Sequence, residues 1–244
     1  MLDSLSVVQL IIAAGAVFLA FLVRGALGFG SGLVAVPLLV LMFPLTLVVP
    51  VVSVLEYLAS ATHGVVHRSA IVRGDLLALL PFSVAGLLAA LYLFETVEPG
   101  NLTKALGVFI LLYAAWSFLA VQPRKRHSRL WGIPLGLLAG LVGTLFGTGG
   151  PFYVIYFKLR HLDKTQFRAT FATVFLIEGL ARLVGYALAG LLDRDSLILA
   201  VVGVPMLALG LYVGGHIHHR LSQTAFQRGV SVLLVVAGGS LLFK

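Results

Sequence analysis

Apolar runs of roughly 20 residues recur along the chain between short polar connections, and about 20 residues is the length of helix that spans ~30 Å of hydrocarbon. The pattern predicts an all-α integral membrane protein. Hydrophobic residues make up 60% of the 244 and charged residues only 11%, which excludes a water-soluble domain of ordinary composition. The runs are 5–43 with a glycine break, 45–67, 74–94, 101–121, 131–158 with a second break, 165–190, 196–216 and 222–243. No cysteine is present, so disulfides, thiolate nucleophiles and thiolate-bound metals are excluded. The start Met1-Leu2-Asp3-Ser4 lacks the cationic region and cleavage site of a signal peptide, so the first apolar segment is expected to remain.

The net charge of +8 is carried in the connections rather than on one face, which fits anionic lipid headgroups and not nucleic acid. Arg68, Arg73, Arg124, Lys125, Arg126, Arg129, Lys158, Arg160, Lys164, Arg168, Arg220 and Arg228 fall in four connections, which are expected on the cytoplasmic side. Glu95 and Glu98, then Asp193, Arg194 and Asp195, mark the external side, where both termini are also expected. Segment 131–158 begins and ends at cationic connections, yet its 28 residues are too few for two full spans. It is expected to dip in and return, turning at Gly147-Thr148-Gly149-Gly150-Pro151, and 5–43 to do likewise from the other face at Gly28-Phe29-Gly30-Ser31-Gly32. The alternative for the first segment is that 5–24 crosses fully.

Gly28 and Gly147 are 119 residues apart, Glu56 and Glu178 122, and Lys104 and Arg228 124. A repeat of about 120 residues emerges, with inverted topology: residues 1–121, a basic linker 122–130, and residues 131–244. The second arm of each hairpin is expected to begin near Leu33 and Pro151. Each would then aim a helix N-terminus, with unpaired amides and a positive dipole end, at the membrane centre, where an anion is favoured. Ser31 and Thr148 add hydroxyl donors. Gly136 and Gly140 read instead as close-packing positions between helices.

Glu56 and Glu178 lie mid-span at corresponding repeat positions, where a carboxylate must be paired, protonated or hydrated. Arg182 stands one turn after Glu178, and Ser60 and His63 share a face with Glu56. Glu56, His63, Glu178 and Arg182 are thus candidates for a proton relay or gate, against a static network that joins helices. Arg24 either holds a substrate oxyanion or pairs with Glu56. The candidate substrate site is Arg24, Gly28, Phe29, Gly30, Ser31, Gly32, Gly147, Thr148, Gly149 and Gly150. His216, His218 and His219 beside Arg220 read as an interfacial cationic anchor rather than a metal site, and Trp116, Trp131 and the tyrosines as interface anchors or packing. No metal or cofactor is expected.

Arg24-Gly25-Ala26-Leu27-Gly28-Phe29-Gly30-Ser31-Gly32 with Val36-Pro37-Leu38-Leu39, and Gly143-Thr144-Leu145-Phe146-Gly147-Thr148-Gly149-Gly150-Pro151, resemble the TauE/SafE family of sulfite and organosulfonate transporters. The resemblance covers essentially the whole chain. It departs in the second copy, where Pro151-Phe152-Tyr153 follows the glycines and Tyr156 stands where the first copy has Pro37. It implies transport of sulfite, sulfonates or related sulfur-containing anions across a prokaryotic plasma membrane. The resulting expectation is a proton-coupled secondary transporter for a small sulfur anion working by alternating access. The alternatives are a passive anion channel and a membrane-embedded enzyme, the last disfavoured by the lack of a zincin motif or thiol.

Overall fold

Helix ends fall where the sequence offers a cap or breaks the hydrogen-bond ladder. In the computed structural model, which describes residues 6–63, 68–119, 125–217 and 223–243, the apolar runs form ten α-helices among the described residues, with no strand. These are α1 (Val7–Leu27), α2 (Ser31–Val40), α3 (Leu45–His63), α4 (Arg73–Thr96), α5 (Pro99–Leu119), α6 (Gly132–Phe146), α7 (Gly150–Leu159), α8 (Lys164–Leu188), α9 (Arg194–Ile217) and α10 (Gln223–Leu242). Ser6 and Asp163 open α1 and α8 with capping boxes that satisfy first-turn amides. Asp193, ahead of α9, accepts from the amide and hydroxyl of Ser196, and these bonds hold its carboxyl below the usual carboxylate range.

Both glycine breaks occur as read from the sequence. Gly28 (φ 86°) and Gly30 (φ 98°) separate α1 from α2, and Gly147 (φ 64°) ends α6 before α7, so the turns use left-handed backbone that side-chain-bearing residues avoid. The returning arms start at Ser31 and Gly150, slightly earlier than expected. They are ten residues each, about 15 Å at 1.5 Å per residue, which is half a span. By contrast α1 has the length and hydropathy of a full crossing, as the alternative for its segment had it, and so does Arg129–Phe146. Arg73–Thr96, Thr165–Leu188 and Arg194–His216 complete five candidate spans among the described residues.

The helices pack in exchanged pairs. α1 lies along α9, and α6 along α4; α3 sits beside α8, α5 beside α10, while α2 and α7 fold back on α1 and α6. The pairing is compatible with two related halves, each placing its first helix against the fourth helix of the other. Small residues permit the closeness: a Cβ on Gly140 would stand 1.9 Å from the Ser83 carbonyl oxygen, and one on Gly214 2.2 Å from that of Leu22.

Polarity is arranged inside out. Arg24, Glu56, Glu178, Arg182, Ser31 and Thr144 are buried, while Val7, Ile11, Leu77, Leu112, Val201 and Val236 face outward. In water such a surface would drive association; against lipid tails it meets its own kind. Three of the four cationic connections meet at one end of the bundle. There Arg160 and Arg129 both pair with Asp75 (2.9 and 3.0 Å), the His127 amide donates to Leu159, and the Val72 amide donates to Thr170.

Gly140→Leu is expected to force α6 off α4 and to destabilise the fold by about 1–3 kcal/mol, as overpacking of a tight interface does. A lowered thermal midpoint of the detergent-solubilised protein checks this, with Gly239→Leu, at a position open in this structure, as the control.

Candidate functional site

The two glycine breaks do not merely occur in both halves; they touch. A Cβ on Gly32 would stand 1.8 Å from the carbonyl oxygen of Gly147, so only a residue without one lets the start of α2 reach the end of α6. Around this contact lies a small cavity lined by both breaks, by Arg24 and Arg182, by Glu56, and by the rings of Phe29, Phe171 and Phe175. Its free space is about 10 Å³, the room of about one water molecule.

On the first-half side, Glu56 reaches up from α3 to the start of α2. Its Oε1 accepts from the Gly32 amide (2.9 Å) and the Ser31 hydroxyl (2.8 Å), so a carboxylate of the protein itself sits where a helix start favours an anion. Arg24 does not pair with Glu56 directly. Its guanidinium donates to Ser31 (3.3 Å) and Ser60 (2.7 Å), and the Ser60 hydroxyl in turn donates to the Glu56 carbonyl (2.8 Å).

On the second-half side, Arg182 Nη2 stands 2.6 Å from Glu178, one helical turn away, and the Tyr153 hydroxyl donates to the other Glu178 oxygen (3.1 Å). Arg182 Nη1 reaches across to Glu56 at 3.8 Å and joins the two halves. Gly143 makes this possible, since a Cβ there would lie 2.8 Å from Arg182 Nη2. The Tyr186 hydroxyl donates to the Thr144 carbonyl beside it.

At the repeat spacings of 119 and 122, Arg24 corresponds to Gly143 and Ser60 to Arg182. Each half therefore supplies one guanidinium to the centre, but from a different helix, with a small residue in the complementary place. Likewise Ser31 corresponds to Gly150 and Gly32 to Pro151. Pro151 has no amide hydrogen and Gly150 no hydroxyl, so Glu178 has no counterpart of the two bonds that dock Glu56. No side chain caps α7.

Of the residues singled out in the sequence, Arg24, Phe29, Gly30, Gly32, Gly147, Thr148, Gly149, Gly150, Glu56 and Arg182 line the cavity. Ser31 is bonded to the lining, Glu178 lies behind Arg182, and Gly28 stands in the turn without lining the cavity. His63 ends α3, and its side chain lies outside the described residues, as do His218, His219 and Arg220. His216 meets the Tyr212 carbonyl through Nδ1 (2.8 Å).

Sequence reasoning missed Phe171 and Phe175, although Phe167, Phe171 and Phe175 recur every four residues on α8 and so mark one face. Of its two readings of the tyrosines, interface anchors or packing, the second holds for Tyr153, Tyr156 and Tyr186, which are fully buried and serve as polar partners as well. Asp75, which the sequence did not single out, is fully buried and accepts from Arg129, Arg160 and the Tyr156 hydroxyl (3.2 Å). Nothing in its neighbourhood along the chain announces partners 54 and 85 residues away.

Arg182→Met is expected to leave Glu178 buried without its cation and to lower stability by about 3–5 kcal/mol. Adding Glu178→Gln should recover a large part of that loss; both are read from thermal unfolding of the purified protein.

The comparisons with known proteins agree with this architecture. A family model described as Sulfite exporter TauE/SafE matches residues 13–241. A protein of Cupriavidus necator named a probable sulfite/organosulfonate exporter TauE is 25% identical over 167 residues, which are 67% of this chain and 64% of that protein's length. No solved structure matches.

Proposed function

Since the chain belongs to the TauE/SafE sulfite exporter family of membrane transporters, we propose that it is a secondary transporter that moves a small sulfur-containing anion, sulfite or an organosulfonate, across the plasma membrane by alternating access. One observation carries the reading: two guanidinium groups and two glycine-broken helix starts converge on one small cavity. A small anion needs donors and positive charge in a site shielded from bulk water, and the lining of this cavity holds both beside Glu56 and three phenyl rings. No chemical step is assigned to it.

A cavity with room for about one water molecule must open before an anion can enter, and a carrier opens to one side at a time. That argues for a carrier over a passive channel, which needs a continuous path. Halves 1–121 and 131–244, related by inversion about the membrane plane and joined by the 122–130 linker, are the natural rocking bodies, with both termini external. The cationic connections would rest on anionic lipid headgroups at the cytoplasmic face.

Glu56 and Glu178 are the proposed proton couplers. An incoming anion meets Glu56 already bound to the Gly32 amide, the Ser31 hydroxyl and Arg182. Protonating that carboxyl removes the charge that competes for the same donors, so proton uptake and anion uptake favour one another.

Sulfite or a sulfonate is expected to raise the thermal midpoint of the purified protein, by about 2.7 kcal/mol of stabilisation at a hundred times its dissociation constant. Alanine at Gly147, Gly149 and Gly150 should remove the shift; an undiminished shift would exclude the tips as the site. In proteoliposomes, saturable flux with counterflow is expected of a carrier, and unsaturable flux would make it a channel. Glu56→Gln and Glu178→Gln are expected to flatten the pH dependence of uptake, and an unaltered profile in both would remove the coupling role.

A further inference from the structure

The arm α7 carries its polar side chains along one face. Tyr153, Tyr156 and Arg160 follow one another at intervals of three and four residues, so they fall on one side of the helix. Tyr153 donates to Glu178 in the central network (3.1 Å), while Tyr156 and Arg160 donate to Asp75 in the first turn of α4 (3.2 and 2.9 Å). At the other end of the arm, Gly150 and Pro151 line the cavity. One helix of about 15 Å therefore joins the cavity to the end of the bundle where the cationic connections meet. Asp75 lies in residues 1–121 and Arg160 in 131–244, so the same bond ties one half to the other at that end.

The first-half arm lacks the side chains for such a tie. At the tip spacing of 119, Tyr153, Tyr156 and Arg160 correspond to Val34, Pro37 and Leu41, whose side chains neither donate nor carry charge. Asp75 is the third residue of α4, and the third residue of α9 is Ser196, which bonds locally to Asp193. The tie is also of the weaker kind. All three donors, Arg129 included, meet Asp75 at Oδ1, and the equally buried Oδ2 accepts no bond. Engaging a guanidinium through both oxygens is the stronger arrangement, and it is not used. Arg129 is 55% exposed, so water at this end can hydrate the charges as they separate and offset the cost of breaking a buried pair.

Resting on the transport reading of the cavity, we infer that Asp75 is the positioning residue of a one-sided gate. With Tyr156 and Arg160 it holds the far end of α7 against α4 and closes the cavity toward the cationic end, the cytoplasmic one in that reading. Release lets the arm swing about its glycine-rich start, Gly147 to Gly150, and opens a path along α7. Events in the cavity reach the gate through the same helix, since Tyr153, on the central network, stands about one turn from Tyr156. The opposite arm has no such bolt to break.

The chain has no cysteine, so one introduced thiol reports access without background. Thr148→Cys puts it in the cavity lining, at a residue 3% exposed. Arg126→Cys, exposed in the basic connection, marks which face of oriented proteoliposomes is the cationic one. A charged, membrane-impermeant thiol reagent is then added to either face. In Thr148→Cys alone, labelling from the cationic face is expected to be slow. Adding Asp75→Asn should speed it by about tenfold, and adding Tyr156→Phe by a smaller factor, with labelling from the opposite face unchanged or slower. Equal acceleration from both faces, as general loosening gives, overturns the inference, and so do unchanged rates in both variants. Should Asp75→Asn fail to fold, Tyr156→Phe, which loses one hydroxyl and no charge, decides alone. Sulfite counterflow through the unaltered protein in matching vesicles separates the two claims. A failed gate with sulfite still exchanged leaves the transport reading intact, whereas one-sided labelling without exchange supports the gate and counts against the carrier.

Discussion

A chain that interrupts its helices in the middle of a membrane exposes peptide groups that lipid cannot satisfy. At the start of α2 the protein's own side chains answer that demand. The Gly32 amide is met by Glu56, whose other oxygen faces Arg182; Arg182 is held by Glu178, and Glu178 by Tyr153. Remove Glu56 and the Gly32 amide is stranded; remove Arg182 and Glu178 is a buried charge without its cation. The same bare amides and guanidinium groups that need internal partners are those that would greet an anion, which places structural and functional demands on one set of atoms.

The network is asymmetric in a way that the near-repeat of the sequence conceals. An arginine on α1 in one half is matched by an arginine on α8 in the other, each opposite a serine or glycine that yields space. Charge is conserved between the halves while position is not. Proline at the second tip removes the amide that docks Glu56 at the first, so one helix start is self-occupied and the other has no side-chain cap hydrogen bond. Such a difference suits a site that must hold a guest in one orientation.

The membrane class, both glycine breaks and the two mid-span glutamates were legible in the sequence because each is a local signal: run length, a cluster of flexible residues, a charge in an apolar stretch. The Glu178–Arg182 pair was legible for the same reason, being one helical turn apart. Asp75 with Arg160 and Arg129, Tyr153 under Glu178, and the phenyl wall over Gly150 were not, since they depend on which helices become neighbours. Nor did length alone separate a re-entrant arm from a crossing helix in residues 7–27, since the run suits both.

That exchange of partners also bears on how the chain is made. Because α1 rests on α9, it acquires its principal neighbour only after α2 to α9 have been synthesised, on the order of ten seconds or more at ordinary elongation rates. During that interval Arg24, near its end, has Ser31 and Ser60 at hand but neither the Phe175 ring of α8 nor the α9 surface. Newborn protein must therefore dwell in the bilayer as a half-assembled species with a polar seam open, and whatever shields that seam during insertion matters to yield as much as the stability of the finished fold.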